Sequence, residues 1–227
     1  MVTHRAFKVA LYSELARIGQ ALAHPLRIEL LDLLAQAERS VEDLAAELAL
    51  PVANVSQHLQ ALRRARIVIS RRAGTRVFYR LAGDDIARLL LALREVGENH
   101  LAEVDAVLTQ YVGQREHSPF PTDTLPEAVR AGQIVLLDVR PANEFAAGHL
   151  PGARSLPLAH LASHLAELPR DRPIVVYCRG RFCTFADEAV ALLRQHGFTA
   201  WRIDDSPADW RARGWPVEVA VMESPRP

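Results

Sequence analysis

Cys178 and Cys183 are the only thiols in 227 residues, and both lie in one short segment, Tyr177-Cys178-Arg179-Gly180-Arg181-Phe182-Cys183. The apolar run Ile174–Tyr177 reads as a buried strand, and the residues from Thr184 onward read as a helix. A thiol at a strand end, in a Gly-containing loop that opens a helix, is favoured as thiolate by backbone N–H groups and by the charges of Arg179 and Arg181. Thiolate is the nucleophilic form, so the pattern predicts a reactive sulfur at Cys178. Cys183 reads either as a second reactive thiol, able to resolve a persulfide on Cys178, or as a small residue at a helix start.

Composition narrows the setting. The net charge is zero, so charge distribution, not total charge, must point to partners. No apolar run approaches the ~20 residues that span a bilayer. Met1–Lys8 has no apolar core after its charges, so a cytoplasmic protein without a membrane partner is expected. Two cysteines are too few for a disulfide scaffold.

Proline divides the chain. Only Pro25 and Pro51 precede residue 119, while the other twelve of the fourteen lie from Pro119 onward. The polar stretch 113–121 reads as a linker between a domain at 1–112 and another at 122–222. In the first, Phe7, Leu11, Leu15, Ile18 and Leu22 form one apolar helical stripe. Pro25 opens a helix to Ala37, Ser40–Asp43 resembles a capping box for a helix to Leu48, and Pro51 begins a helix to about Ala65. Ile67–Arg72 and Thr75–Arg80 read as a hairpin around Gly74. Asp84 and Asp85 start one long helix to about Tyr111.

Helix, tight connection, helix and two-stranded ribbon make a winged helix-turn-helix, whose second helix enters the DNA major groove. Between Glu47 and Asp84 there is no acidic residue but there are seven arginines, Arg63, Arg64, Arg66, Arg71, Arg72, Arg76 and Arg80, as phosphate contact requires.

Through Gln20–Arg27 and Val55–Arg63, residues 14–82 resemble the ArsR-type winged-helix repressors. The resemblance implies a homodimer formed through helices 7–22 and 84–111, bound to a double-stranded DNA operator. By position it brings Asn54, Ser56, Gln57, His58 and Gln60 to bases or nearby phosphates, with Arg63 and Arg64 at the helix end and Arg71, Arg72 and Arg76 on the wing. Arg66 stands where this family has Gly. Many such repressors sense metals, but residues 40–48 lack Cys and the last helix offers only His100 near Glu103, so no metal and no cofactor is expected.

Apolar strands alternate with helices in the second half: strands at 134–139, 153–156, 174–177 and 200–203, helices at Thr124–Gly132, Pro141–Ala147, His160–Leu168 and Thr184–His196. That order predicts an α/β fold with a mostly parallel sheet, reactive groups lying at the strands' carboxyl ends. Leu137-Asp138-Val139-Arg140, Glu144-Phe145, Gly148–Ala153, the Cys178 loop and Trp210–Val217 together resemble a single-domain rhodanese. The resemblance implies sulfur transfer: Cys178 takes a sulfane sulfur from a small donor such as thiosulfate and holds it as a persulfide. Arg179, Gly180, Arg181, Phe182 and Thr184 would surround the donor. Asp138 and Arg140 read as a structural pair, and His149 as a packing residue. Phosphatases of this fold need Arg six residues after the Cys, where this chain has Thr184.

The expected architecture is therefore two domains, a mainly-α winged helix-turn-helix and an α/β rhodanese-like domain. Two functions fit it: a sulfur-responsive transcription regulator, or a thiosulfate-type sulfurtransferase with a DNA-binding domain indifferent to sulfur.

Overall fold

The computed structural model describes residues 4–112, 115–116 and 118–220. Residues 1–3, linker positions 113, 114 and 117, and the last two residues of the rhodanese-like stretch, 221 and 222, lie outside the described residues. Contacts divide the chain into two units after Leu90, inside a helix and ahead of the 113–121 segment. Among the described residues no helix is long and apolar enough to cross a membrane.

In the first unit, α1 (His4–Leu22) ends before His24-Pro25, and α2 (Pro25–Gln36) follows. His24 is extended, as the residue before proline must be, and its ring nitrogen accepts from the Leu26 N–H at 3.2 Å to cap α2. A two-residue strand, β1 (Arg39–Ser40), precedes α3 (Val41–Glu47), which Ser40 caps by accepting from the Asp43 N–H. Next come α4 (Val52–Arg64), β2 (Val68–Ala73) and β3 (Arg76–Leu81). Gly74, at φ +59°, makes the hairpin turn. The sheet order is β1-β3-β2, antiparallel throughout; the predicted ribbon gains a third strand because Arg39 and Ser40 pair with Tyr79 and Phe78.

Val55, Leu59 and Leu62 on α4 are fully buried against Leu30, Leu31, Leu44 and Ile67. Each such side chain contributes about 1.5–3 kcal/mol, and together they fix which face of α4 points outward. Arg66 follows α4 at φ +61°, the left-handed conformation that favours glycine.

The single helix expected from Asp84 to Tyr111 is instead two, α5 (Asp84–His100) and α6 (Ala102–Val112). Gly97, Asn99 and His100 are poor helix formers at the break, and the Leu101 carbonyl there accepts from Val104 to begin the next turn.

The second unit contains α7 (Leu125–Arg130), β4 (Val135–Asp138), α8 (Ala142–Ala147), β5 (Arg154–Ser155), α9 (Leu158–Leu161), β6 (Ile174–Tyr177), α10 (Phe185–Gln195), β7 (Ala200–Arg202) and α11 (Pro207–Ala212). Thr124 does not cap α7 as expected; a 3-10 turn at Thr122–Thr124 precedes that helix, and the Thr124 hydroxyl donates back to the Pro121 carbonyl. The helix expected at His160–Leu168 is the short α9 continued by a 3-10 segment, Ala162–Glu167. The sheet runs β5-β4-β6-β7, and every pairing is parallel. β4 and β6 are buried on both faces, so their carboxyl ends and the loops beyond them carry the chemistry.

Candidate functional site

Cys178 follows β6 directly, and Cys183 stands two residues before α10. The loop between them folds on itself through the Cys183 N–H, which donates to the Gly180 carbonyl at 3.2 Å. Gly180 has φ +109°, and a Cβ there would meet Asp209 Oδ2 at 3.1 Å, so only glycine fits the turn.

Both sulfurs face the start of α10. The Ala186 N–H points to Cys178, and the N–H groups of Arg179 and Phe185 point to Cys183. Exposure separates the two. Cys178 is 1% exposed, and burial pushes its pKa well above the ordinary thiol value. Its thiol donates toward the carbonyls of Cys183 at 3.6 Å and Gly180 at 3.9 Å. Cys183 is half-buried; the hydrogen bond from the Cys178 thiol and the two backbone N–H groups lower its pKa to about 7, against its burial. Burial, and then the neighbouring Cys183, thus oppose ionisation of the thiol that the sequence pattern favours as thiolate.

Arg179 turns away from the loop mouth. It is buried and makes a bidentate pair with buried Glu144 of α8, at 2.7–3.1 Å. Arg140 and Asp138 are both fully buried; Arg140 Nη2 donates to Asp138 Oδ2 at 2.5 Å and to the Gly148 carbonyl at 2.7 Å. The Tyr177 hydroxyl, its pKa raised by burial, accepts from the Leu150 N–H at 3.1 Å and ties β6 to the 148–153 segment. His149 stacks on Phe145 with ring centroids 3.8 Å apart. The outer rim of the loop consists of half-buried Arg181 and exposed Phe182 and Thr184.

Sequence reasoning missed Arg202, which lies buried beneath the loop. It pairs with Asp187 of α10 at 2.5 Å and with Asp204 at 2.8 Å, and reaches the Gly180 carbonyl at 3.5 Å. A lone arginine in an otherwise apolar strand followed by Asp204 is the signal that could have found it. Also missed was α11, whose start is a capping box: Ser206 accepts from the Asp209 N–H, and Asp209 accepts from the Ser206 N–H.

In the first unit, α4 turns Gln57, Gln60, Arg63 and Arg64 to solvent, with Asn54 and Ser56 half-buried beside them. A groove of about 310 Å³ runs between α4 and the wing, lined by Ser56, Gln60, Arg63, Ser70, Arg71 and Arg72. His58 packs instead against His24, ring centroids 4.4 Å apart; burial, then the charges of His24 and Arg27, lower its pKa.

The wing arginines have partners of their own. Arg71 makes a bidentate pair with Glu38. Arg76 pairs with Asp43 and, at 3.6 Å, with Glu42. These three acids precede the acid-free stretch, so sequence separation hides them. Among the described residues no three His, Cys, Asp or Glu side chains cluster in a way that could hold a metal ion.

Residues 24–70 match the arsR family of bacterial regulatory proteins, and residues 122–213 match the rhodanese-like domain. The chain is 44% identical over 214 residues to the HTH-type transcriptional regulator Rv0324 of Mycobacterium tuberculosis, spanning 93% of each chain. It is 43% identical over 99 residues to the uncharacterized HTH-type transcriptional regulator Rv0081 of the same species, spanning 43% of this chain and 87% of that one. It is also similar to the homodimeric winged helix-turn-helix DNA-binding domain of Mb0332 from Mycobacterium bovis. That structure is 43% identical, covering 45% of this chain and 95% of that one with a TM-score of 0.42. Matched along nearly its whole length by a regulator of this kind, the chain belongs to the arsR family of bacterial regulatory proteins, in a form that carries a rhodanese-like domain after its winged helix-turn-helix.

Proposed function

We propose that this protein is a cytoplasmic, homodimeric, sulfur-responsive regulator of transcription, whose rhodanese-like domain carries a persulfide on Cys178. The carrying observation is the position of its thiols. The winged domain has none, and the only two share one loop, with backbone N–H groups aimed at both sulfurs. In this reading the domains are 1–112 and 122–222, joined by 113–121.

Operator DNA is held by α4 and the wing. Asn54, Ser56, Gln57 and Gln60 offer donors and acceptors to base edges, while Arg63, Arg64 and Arg72 contact phosphates. Arg71 and Arg76 join them by exchanging carboxylates for phosphates. His58, packed on His24, acts through the position of α4. A second copy covers the apolar side chains that α1, α5 and α6 leave exposed, among them Phe7 (57% exposed), Leu15, Val96 and Val107.

The sulfur step is a displacement. A cysteine thiolate attacks the outer sulfur of thiosulfate or a similar sulfane donor, the donor S–S bond breaks, and sulfite leaves with the electron pair. Arg181, Phe182 and Thr184 border the approach, Gly180 shapes the turn, and Arg179 holds the loop through Glu144. Regulation follows only where the loaded and unloaded proteins differ in their preference for DNA.

The test uses the full chain and a duplex selected from random DNA by the protein itself. Loading with thiosulfate or polysulfide is followed by mass spectrometry, and affinity is measured before and after. A change of about 5–150-fold is expected, the usual range of coupling between sites. Unchanged affinity on a fully persulfidated protein would instead favour a sulfurtransferase whose DNA-binding domain ignores sulfur.

A further inference from the structure

We propose that sulfur enters the loop at Cys183 and is then handed to Cys178, so that the two thiols work in series as an entry residue and a store. This deepens the persulfide reading above and rests on it.

The two cysteines are unequal in access and in hydrogen bonding. An anionic donor must bring its outer sulfur to the attacking sulfur with the leaving group in line. Cys178, at 1% exposed, offers no such approach, and two carbonyl acceptors lie within reach of its proton. Cys183 stands half-buried between two exposed residues, Phe182 and Thr184. The N–H groups of Arg179 and Phe185 point to it, Phe185 being the first residue of an eleven-residue helix. The neighbouring Cys178 thiol and those N–H groups lower its pKa to about 7. An accessible thiol whose pKa lies near ambient pH is the best attacking sulfur.

The steps balance without an oxidant. The Cys183 thiolate attacks the outer sulfur of thiosulfate; a Cys183–sulfur bond forms, the donor S–S bond breaks, and sulfite departs with its electrons. The Cys178 proton then passes to the terminal sulfur of the Cys183 persulfide, and the Cys178 thiolate attacks that sulfur. The bond to Cys183 breaks, its electron pair remains on Cys183 as thiolate, and the entry residue is restored. The persulfide now sits on the buried cysteine, where the bulk thiols that would strip it have little access.

Thiosulfate is the probe, with wild type, Cys183→Ser and Cys178→Ser as full-length chains. Rapid quench and peptide mapping locate the sulfur. Wild type is expected to finish with sulfur on Cys178. Cys178→Ser, which lacks the store, is expected to retain on Cys183 the sulfur it loads. Cys183→Ser is expected to load Cys178 on the order of tenfold slower or worse near neutral pH. Wild-type loading of Cys178 in Cys183→Ser overturns the relay and leaves the persulfide reading standing. A wild type that takes no sulfur from thiosulfate or polysulfide sinks both.

Alkylation of unmodified wild type by iodoacetamide needs no variant and guards against misfolding of one. Cys183 is expected to react first, with a rate midpoint near pH 7. Labelling of Cys178 first overturns the order.

Discussion

On the winged unit, Arg71 and Arg76 pair with carboxylates at the protein surface, whereas in the second unit Arg140, Arg179 and Arg202 are paired where water is excluded. The residue type is the same and the consequence opposite. A surface pair exchanges partners at little cost, which is what a phosphate-binding arm requires. A buried pair holds its shape because losing one partner strands a charge in a poor solvent. In this chain the buried arginines position a loop, and the exposed ones are available to a ligand.

The largest effect that tests this contrast is on stability. Glu144→Ala leaves Arg179 buried without its bidentate partner and should cost about 3–5 kcal/mol in denaturant unfolding of the second unit. Replacing the pair together, Glu144→Leu with Arg179→Met, should restore most of that loss. Arg76→Ala should leave unfolding of the winged unit within the scatter of wild type. Equal losses from Glu144→Ala and Arg76→Ala would abolish the distinction between the two sets.

DNA binding offers the next largest effect. Each of Arg63→Ala and Arg64→Ala should reduce the slope of log affinity against log salt by about 0.9, since each phosphate contact releases roughly one counterion. The wing should respond in the other direction. Glu38→Gln combined with Asp43→Asn removes the hydrogen-bonded competitors of Arg71 and Arg76, leaving Glu42 at 3.6 Å, and affinity should rise by a factor of roughly two to ten at low ionic strength, converging with wild type as salt screens both. A double variant that binds DNA more weakly would mean that the carboxylates hold the wing in its binding shape instead of competing with DNA.

The same contrast explains what the sequence makes legible. Periodicity and turn chemistry reveal the helix-turn-helix, the hairpin at Gly74 and the alternating strands, because each is a local pattern. The Cys178 loop is legible for the same reason. What escapes is set by residues far apart in the chain: Glu144 reaching Arg179, Asp187 reaching Arg202, and Glu38 reaching Arg71. The ionisation state of Cys178 escapes too. The loop arginines are visible in sequence, but the turn of Arg179 to Glu144 and the burial of the sulfur arise only when the chain folds. At Arg66 the local rule asks for glycine, yet the chain takes the left-handed turn with an arginine, so the boundary of α4 holds against propensity.

The smallest effect concerns His58, where a partly buried histidine lies on the same helix as the exposed arginines. Its folded pKa lies below the ordinary 6.5, because burial, then the nearby charges of His24 and Arg27, oppose the protonated ring. The unfolded chain therefore binds the proton more readily. Stability linked to His58 is fully present above pH 6.5 and is lost as pH falls through the folded pKa. In an NMR titration the His58 ring should show a midpoint below that of an exposed histidine, and His24→Ala should raise it by opening the contact and removing one source of charge. Acidification should correspondingly loosen the α2–α4 packing that orients Gln57 and Gln60. A His58 midpoint at or above that of an exposed histidine would mean that the ring is solvated, and that α4 is oriented by Val55, Leu59 and Leu62 alone.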